Sequence, residues 1–293
     1  MELLPEGKNF RLALEDELPE ILEFLSNFLP DALKFHQTLR TYLNDRVWDF
    51  YFYVSKEWPD QPVCLHFPGM TQTPNGRLYE SFSVFCPLDR LECLELLEKE
   101  DVLIDWSQPI FLNFTHSDIM DRLEEFYQHI GTMEKVQGDI YVCSETPSDQ
   151  QLAGLAPPEE VKIEELRKEH AQAIHELYPA NDMEAVEVFE RLITALPAFG
   201  VFSSGELAAW MVQSYYGAMF SMQTRPEYRR KGYGIHLAKC LTQIVRSRGY
   251  VPFVVIRPEN DASQSLYHKL GFKKNYQTVR AILRPHERAS TDD

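Results

Sequence analysis

Met222-Gln-Thr-Arg-Pro-Glu-Tyr-Arg-Arg-Lys-Gly-Tyr-Gly234 is the stretch whose reading decides the fold. Met219, Phe220 and Met222 give it the short apolar start of a strand that is about to end. Pro226 removes a backbone donor and stops the ladder. Beyond Gly234, apolar residues recur at Ile235, Leu237, Ala238, Leu241, Ile244 and Val245, a helical spacing that Gly249 is placed to end. Two glycines let successive N–H groups turn inward as a nest, and the helix N-terminus behind them carries partial positive charge. Arg229, Arg230 and Lys231 add formal charge at the same place. The stretch reads as an anion site, with a pyrophosphate as its leading candidate.

Spacing narrows the anion. A P-loop requires Gly-x4-Gly-Lys-Ser/Thr, whereas Gly234 is followed by Ile235 and His236. A dinucleotide fingerprint requires a third glycine at 237, which is leucine. Arg229-x-x-Gly232-x-Gly234 on a strand-to-helix turn resembles the pyrophosphate loop with which the GNAT superfamily of N-acetyltransferases holds coenzyme A. About 30 residues on, Asn260-Asp-Ala-Ser263-Gln-Ser-Leu-Tyr267-His-Lys269-Leu-Gly271-Phe272 resembles that superfamily's closing segment. Pro226-Glu227-Tyr228-Arg229 narrows the resemblance to the glycine N-acyltransferase-like branch.

The whole chain sets the bounds. Its 293 residues suffice for two ordinary domains, and 44% hydrophobic with 25% charged residues is globular composition. No apolar run reaches a membrane span, and the start at Met1 carries neither a secretory nor a transit pattern. Cys64, Cys86, Cys93, Cys143 and Cys240 lack metal-ligand spacing and read as reduced core residues of a cytoplasmic protein. Charge is lopsided: residues 1–150 hold 11 Lys/Arg against 28 Asp/Glu, residues 151–293 hold 18 against 17. Neither half offers the basic surplus that nucleic acid requires, and no metal or membrane partner is implied.

Taken in order, both halves read strand, two helices, three strands, helix, strand, helix, strand. The expected fold is an α/β (α+β mixed-sheet) architecture of two tandem GNAT-like copies. A degenerate domain spans 1–146, a linker 147–160, a catalytic domain 161–284 and a flexible tail 285–293. The second and third strands of the first copy are joined by a hairpin turn at Thr73-Pro-Asn-Gly76. The final helices close alike, Tyr127-Gln-His-Ile-Gly131 against Tyr267-His-Lys-Leu-Gly271. At the turn matching the glycine loop, however, the first copy has Phe85-Cys-Pro-Leu-Asp-Arg-Leu91. It has no glycine there, and Asp89 repels phosphate, so one coenzyme A site per chain is expected.

The resemblance implies transfer of an acetyl or acyl group from coenzyme A to a primary amine, with small amino acids such as glycine as the branch's acceptors. It implies that amides from Arg229 through Arg230, Lys231, Gly232, Tyr233 and Gly234 to Ile235 hold the pyrophosphate. It places the pantetheine arm along Met222, Gln223 and Thr224, whose N–H groups also polarise the thioester carbonyl. Tyr267 is implied as the acid that protonates the leaving thiolate, against a packing role beside Leu266 and Leu270. No carboxylate lies on Gly217–Thr224, so the base implied by the branch is Glu227, against a plain turn residue or a water relay. Asn260 and Ser263 cap the last helix and stand near the pantetheine; Lys269 reaches a phosphate or is solvated. Trp210, Tyr215, Tyr216 and Phe220 line the acyl or acceptor pocket or pack the core, and His236 reads as an ordinary helix histidine. Two other functions remain open: an acyl-coenzyme-A-binding protein without catalysis, and an acetyltransferase acting on protein or polyamine amines.

Overall fold

Apolar periodicity becomes an element only where a partner surface receives it. The computed structural model describes residues 4–68, 80–144, 162–179, 181 and 184–286. The hairpin turn Thr73–Gly76, the linker 147–160, the helix start at Met183 and the tail beyond His286 lie outside the described residues. Two compact units emerge, one from 1–35, 49–138 and 277–293, the other from 36–48 and 139–276. The expected copies are continuous stretches, whereas these units are not. Helix α2 (Leu33–Asp45) and strands β6 (Gly131–Val142) and β12 (Lys273–Pro285) each run from one unit into the other.

In the first unit the strands lie in the order β1 (Phe10–Leu12), β2 (Tyr51–Ser55), β3 (Cys64–Phe67), β4 (Glu80–Phe85), β5 (Ile110–His116), β12. All neighbours are antiparallel except β4 and β5, which run parallel and pair from Glu80↔Ile110 to Phe82↔Leu112. Helix α1 (Leu18–Ser26) carries Pro19 in its first turn, where no donor is lost, and buries Leu18, Ile21 and Leu25. Helix α4 (Ser117–Tyr127) starts at His116, whose ring accepts from the Asp118 N–H, and buries Ile119, Met120, Leu123 and Tyr127. After β4 the chain forms not one continuous helix but a 3₁₀ segment, Leu88–Leu94, followed by one turn, α3 (Glu95–Glu98). Arg90 breaks it at φ −133°, ψ 29°: its carbonyl accepts from Cys86 Sγ while its guanidinium donates to the Asp60 carbonyl and to Glu92.

The second unit holds the antiparallel sheet β10 (Met219–Thr224), β9 (Glu206–Gln213), β8 (Ala198–Ser203), β7 (Lys162–Glu165). A further strand, β11 (Phe253–Ile256), pairs antiparallel with Asp139–Val142 of β6. Helices α5 (Ala171–Glu176), α6 (Val186–Ala195), α7 (Tyr233–Ser247) and α8 (Asp261–Lys269) complete the unit. Leu237, Ala238, Leu241 and Val245 of α7 are fully buried, which is the periodicity read from the sequence. They pack with Met211, Met219, Val254, Tyr267 and Phe272 in one core.

The two helix-ending glycines that look alike in sequence do different work. Gly271 adopts φ +82°, a left-handed exit. Gly131 has ordinary backbone geometry, but a Cβ there would sit 2.1 Å from the Arg284 carbonyl oxygen, so it is a site of close approach.

An anchor without a sequence signature lies in the first unit. Glu100 is fully buried, and its carboxylate accepts the N–H groups of Lys8 (3.0 Å), Asn9 (2.7 Å), Val102 (3.1 Å) and Leu103 (3.0 Å). A carboxylate buried at this depth persists only where donors replace water. Glu100→Gln puts an amide group against N–H donors and is expected to cost about 3 kcal/mol, read as a lower midpoint in urea denaturation.

Candidate active site

The glycine loop is built by backbone strain at defined points. On β10 the register against β9 shifts between Phe220 and Gln223, and Ser221 takes a left-handed φ of 52°. This bulge turns Met222 toward α8, where the Tyr267 hydroxyl donates to its thioether sulfur at 3.7 Å. After Thr224 the chain makes one 3₁₀ turn, Pro226–Tyr228. Arg225 Nε donates to the Leu207 carbonyl (2.8 Å) and Arg229 Nε to the Thr224 carbonyl (3.3 Å), pinning both ends of the turn. Arg230 (φ 62°) and Gly232 (φ 78°) are then left-handed, and Gly232 caps α7 without any side-chain hydrogen bond.

The consequence is a run of free donors. Among the described residues, the N–H groups from Arg230 to Ile235 donate to no protein acceptor. They stand at the positive end of a 15-residue helix, where backbone geometry and macrodipole both favour an anion. Arg229, Arg230 and Lys231 are exposed beside them, with Lys231 Nζ 5.0 Å over the Tyr228 ring. A pyrophosphate fits such a cradle. Next to it, β10 is the edge of its sheet, and β11 lies adjacent without sharing a ladder. Along Met222, Gln223 and Thr224 the outer side of β10 therefore carries no ladder among the described residues, an edge with which an extended chain can pair.

The closing helix presents the remaining predicted residues. Asn260 Oδ1 accepts from the Ser263 N–H (3.1 Å), the cap read from the sequence. Tyr267 is 3% exposed and packs edge-on to Phe272, ring centres 5.0 Å apart. Burial pushes its phenol well above the ordinary tyrosine range. Leu266 lies beside Gly234, where an added Cβ would be 3.5 Å from Leu266 Cδ1 and 3.7 Å from Met222 Sδ. Met222, Gly234, Leu266 and Tyr267 thus converge. Lys269 is exposed in the last turn of α8, the end favoured for a cation.

Glu227 is not part of that cluster of contacts. It is exposed on the 3₁₀ turn and makes no hydrogen bond or ion pair among the described residues. Its neighbour Tyr228 donates instead to Glu206 Oε2 at 2.9 Å. His236 lies in the second turn of α7, its imidazole held below the usual range by burial and then by Lys239. Phe220 stacks on Phe189 (5.9 Å) and contacts Tyr178 (5.3 Å) and Tyr216 (6.4 Å). Trp48 meets Tyr215 at 5.2 Å. Trp210 is fully buried with its indole N–H unpaired, and Ser221 Oγ is likewise buried and unpaired. Nothing in a serine within a strand-like run signals a bulge, so Ser221 escapes sequence reading.

Among the described residues no group of His, Cys, Asp or Glu is arranged to hold a metal, and no helix is long and apolar enough to cross a membrane. The first unit's corresponding turn has Pro87 at the start of its 3₁₀ segment and Asp89 in the first turn, with none of the left-handed positions of the loop.

Comparison with known proteins agrees with this geometry. Residues 198–281, from β8 through most of β12, match the FR47-like protein family. Bovine glycine N-acyltransferase is 24% identical, with 84% of this chain and 89% of that protein covered. A Drosophila protein of known structure superposes with a TM-score of 0.77 at 21% identity, covering 95% of this chain and 99% of that one. A GCN5-related N-acetyltransferase from Sphaerobacter thermophilus superposes with a TM-score of 0.54 at 15% identity, covering 96% and 98%. The resemblance read from the glycine loop and closing segment is borne out: this chain has the GNAT fold and is similar to the superfamily's glycine N-acyltransferase-like branch.

Proposed function

We propose that the chain is an acyl-coenzyme-A-dependent N-acyltransferase whose second unit binds the acyl donor and passes its acyl group to a primary amine. The observation that carries this reading is the run of free N–H groups from Arg230 to Ile235 at the α7 N-terminus, opening beside the unladdered edges of β10 and β11. Such donors serve a pyrophosphate, and the edge of Met222–Thr224 serves an extended pantetheine arm. The similarity to bovine glycine N-acyltransferase supports a small amino acid such as glycine as acceptor.

In this reading the neutral amine attacks the thioester carbonyl, whose oxygen gains negative charge and is met by β10 N–H groups. A C–N bond forms and the C–S bond breaks; the nitrogen sheds a proton and the thiolate takes one. Tyr267 is the donor to sulfur. Its hydroxyl already rests on a sulfur atom, that of Met222, and its raised pKa keeps it protonated throughout the neutral range. Glu227 takes the amine proton in this reading, and its exposure on the 3₁₀ turn leaves its carboxylate open to solvent.

Three outcomes test this. Calorimetry should give one acetyl-coenzyme A per chain, and Gly232→Val should weaken it at least tenfold, because a branched residue is strained at φ 78° and the amides turn away. Two equivalents bound would give the first unit a site of its own despite its missing glycines, and unchanged affinity in a folded variant removes the loop site. Tyr267→Phe should lower kcat about 10²-fold at unchanged coenzyme A affinity, while the wild-type kcat shows no alkaline fall up to pH 10. Tight binding without thiol release from any amine would favour a binding protein instead. Glu227→Gln should slow turnover most near neutral pH, the loss shrinking as the acceptor deprotonates in solution; a uniform or absent effect across pH assigns the proton to water.

A further inference from the structure

The first unit has a cleft beside the turn that lacks the glycines of the loop. Strands β4 and β5 run parallel and pair only over their first three residues, Glu80–Phe82 with Ile110–Leu112. Beyond Phe82 and Leu112 no pairing follows, and a cavity of about 340 Å³ opens at their carboxyl ends. That is where ligands enter open α/β sheets, and the volume falls within the roughly 300–1,000 Å³ of small-molecule pockets. Phe28, Phe85 and Ile119 wall it, and Asn27, His116 and the exposed Asp31 and Asp89 supply its polar side chains.

The chemistry of this lining is opposite to that of the glycine loop. His116 Nδ1 accepts the Asp118 N–H (3.2 Å), so the ring's proton sits on Nε2, which faces Asp31 Oδ1 across 3.8 Å. That gap is too wide for a hydrogen bond. Burial holds the imidazole below its usual range against the pull of Asp118 and Asp31, leaving it uncharged at neutral pH. No lysine or arginine lines the cavity. Two carboxylates, a neutral imidazole and aromatic walls exclude a phosphate and suit a cation with an apolar body.

We propose that the first unit binds a small organic ammonium ion in this cleft, its nitrogen between Asp31 and Asp89 and its apolar part against Phe28, Phe85 and Ile119. The site is separate from the acceptor site proposed for the second unit and does not depend on it. The test uses the full chain and benzylammonium as the probe, with hydrogen-exchange mass spectrometry as the readout. Protection is expected in segments 27–31, 85–89 and 116–119, half-saturating at least tenfold lower than with the neutral isostere benzyl alcohol, and absent with phenylacetate. The double variant Asp31→Asn/Asp89→Asn should weaken benzylammonium at least tenfold while binding acetyl-coenzyme A as the parent does. Protection absent from these segments overturns the proposal. Equal protection by benzyl alcohol also overturns it, because the cleft would then be an apolar void. Undiminished binding by the double variant does the same. The comparison of the three probes on the unaltered chain decides the matter even if the double variant fails to fold.

Discussion

Everything about the candidate site depends on donors left without acceptors. A helix leaves its first N–H groups unpaired by construction, and most proteins cap them with a side chain or water. Here Gly232 caps α7 with no side chain at all, and the left-handed Arg230 before it turns further amides the same way. The strain of a left-handed arginine, of order 1–2 kcal/mol, is held by neighbouring hydrogen bonds from Arg225 to Leu207 and from Arg229 to Thr224. A second non-glycine strain point, Ser221, lies one residue before Met222 on the incoming strand. Strain thus concentrates around the segment whose amides are left without acceptors.

Burial then sorts the side chains by role. Tyr267 is deep enough for its phenol to stay protonated, and it rests against Met222, Phe272 and the core of α7. A hydroxyl in that position is held still by packing, which suits the proton-donor role proposed for it. Glu227 shares none of this restraint, and Arg230 is exposed with only its backbone strained. The rigid half of the site comes from the sheet and α8, the adaptable half from the turn.

The two units carry different residues at the turns that follow β4 and β10. In both, a strand ends in a turn, and in the first unit a cavity opens there. In the second unit glycine and arginine fill that turn; in the first, Pro87 and Asp89 do. The local charge at each turn follows from those few residues, not from the sheet behind it.

How much of this was legible depended on range. Spacing within one segment carried the glycine loop, the periodic face of α7, its stop at Gly249 and the Asn260 cap, because each is decided by residues a few positions apart. Resemblance carried the fold. Segment exchange was hidden: nothing in the text of α2, β6 or β12 says that a single element serves two units, since that is decided by surfaces far away in the chain. The bulge at Ser221, the break at Arg90 and the four amides gathered by Glu100 were hidden for the same reason. Gly131 and Gly271 make the division plain. Sequence alone equates them, and local backbone geometry explains only Gly271; the Arg284 carbonyl, 153 residues from Gly131, explains the other. The sequence by itself determined the local codes for turns, caps and helix faces. Tertiary packing decided which polar groups would be left unpaired, because burial and hydrogen-bond satisfaction are properties of neighbours in space.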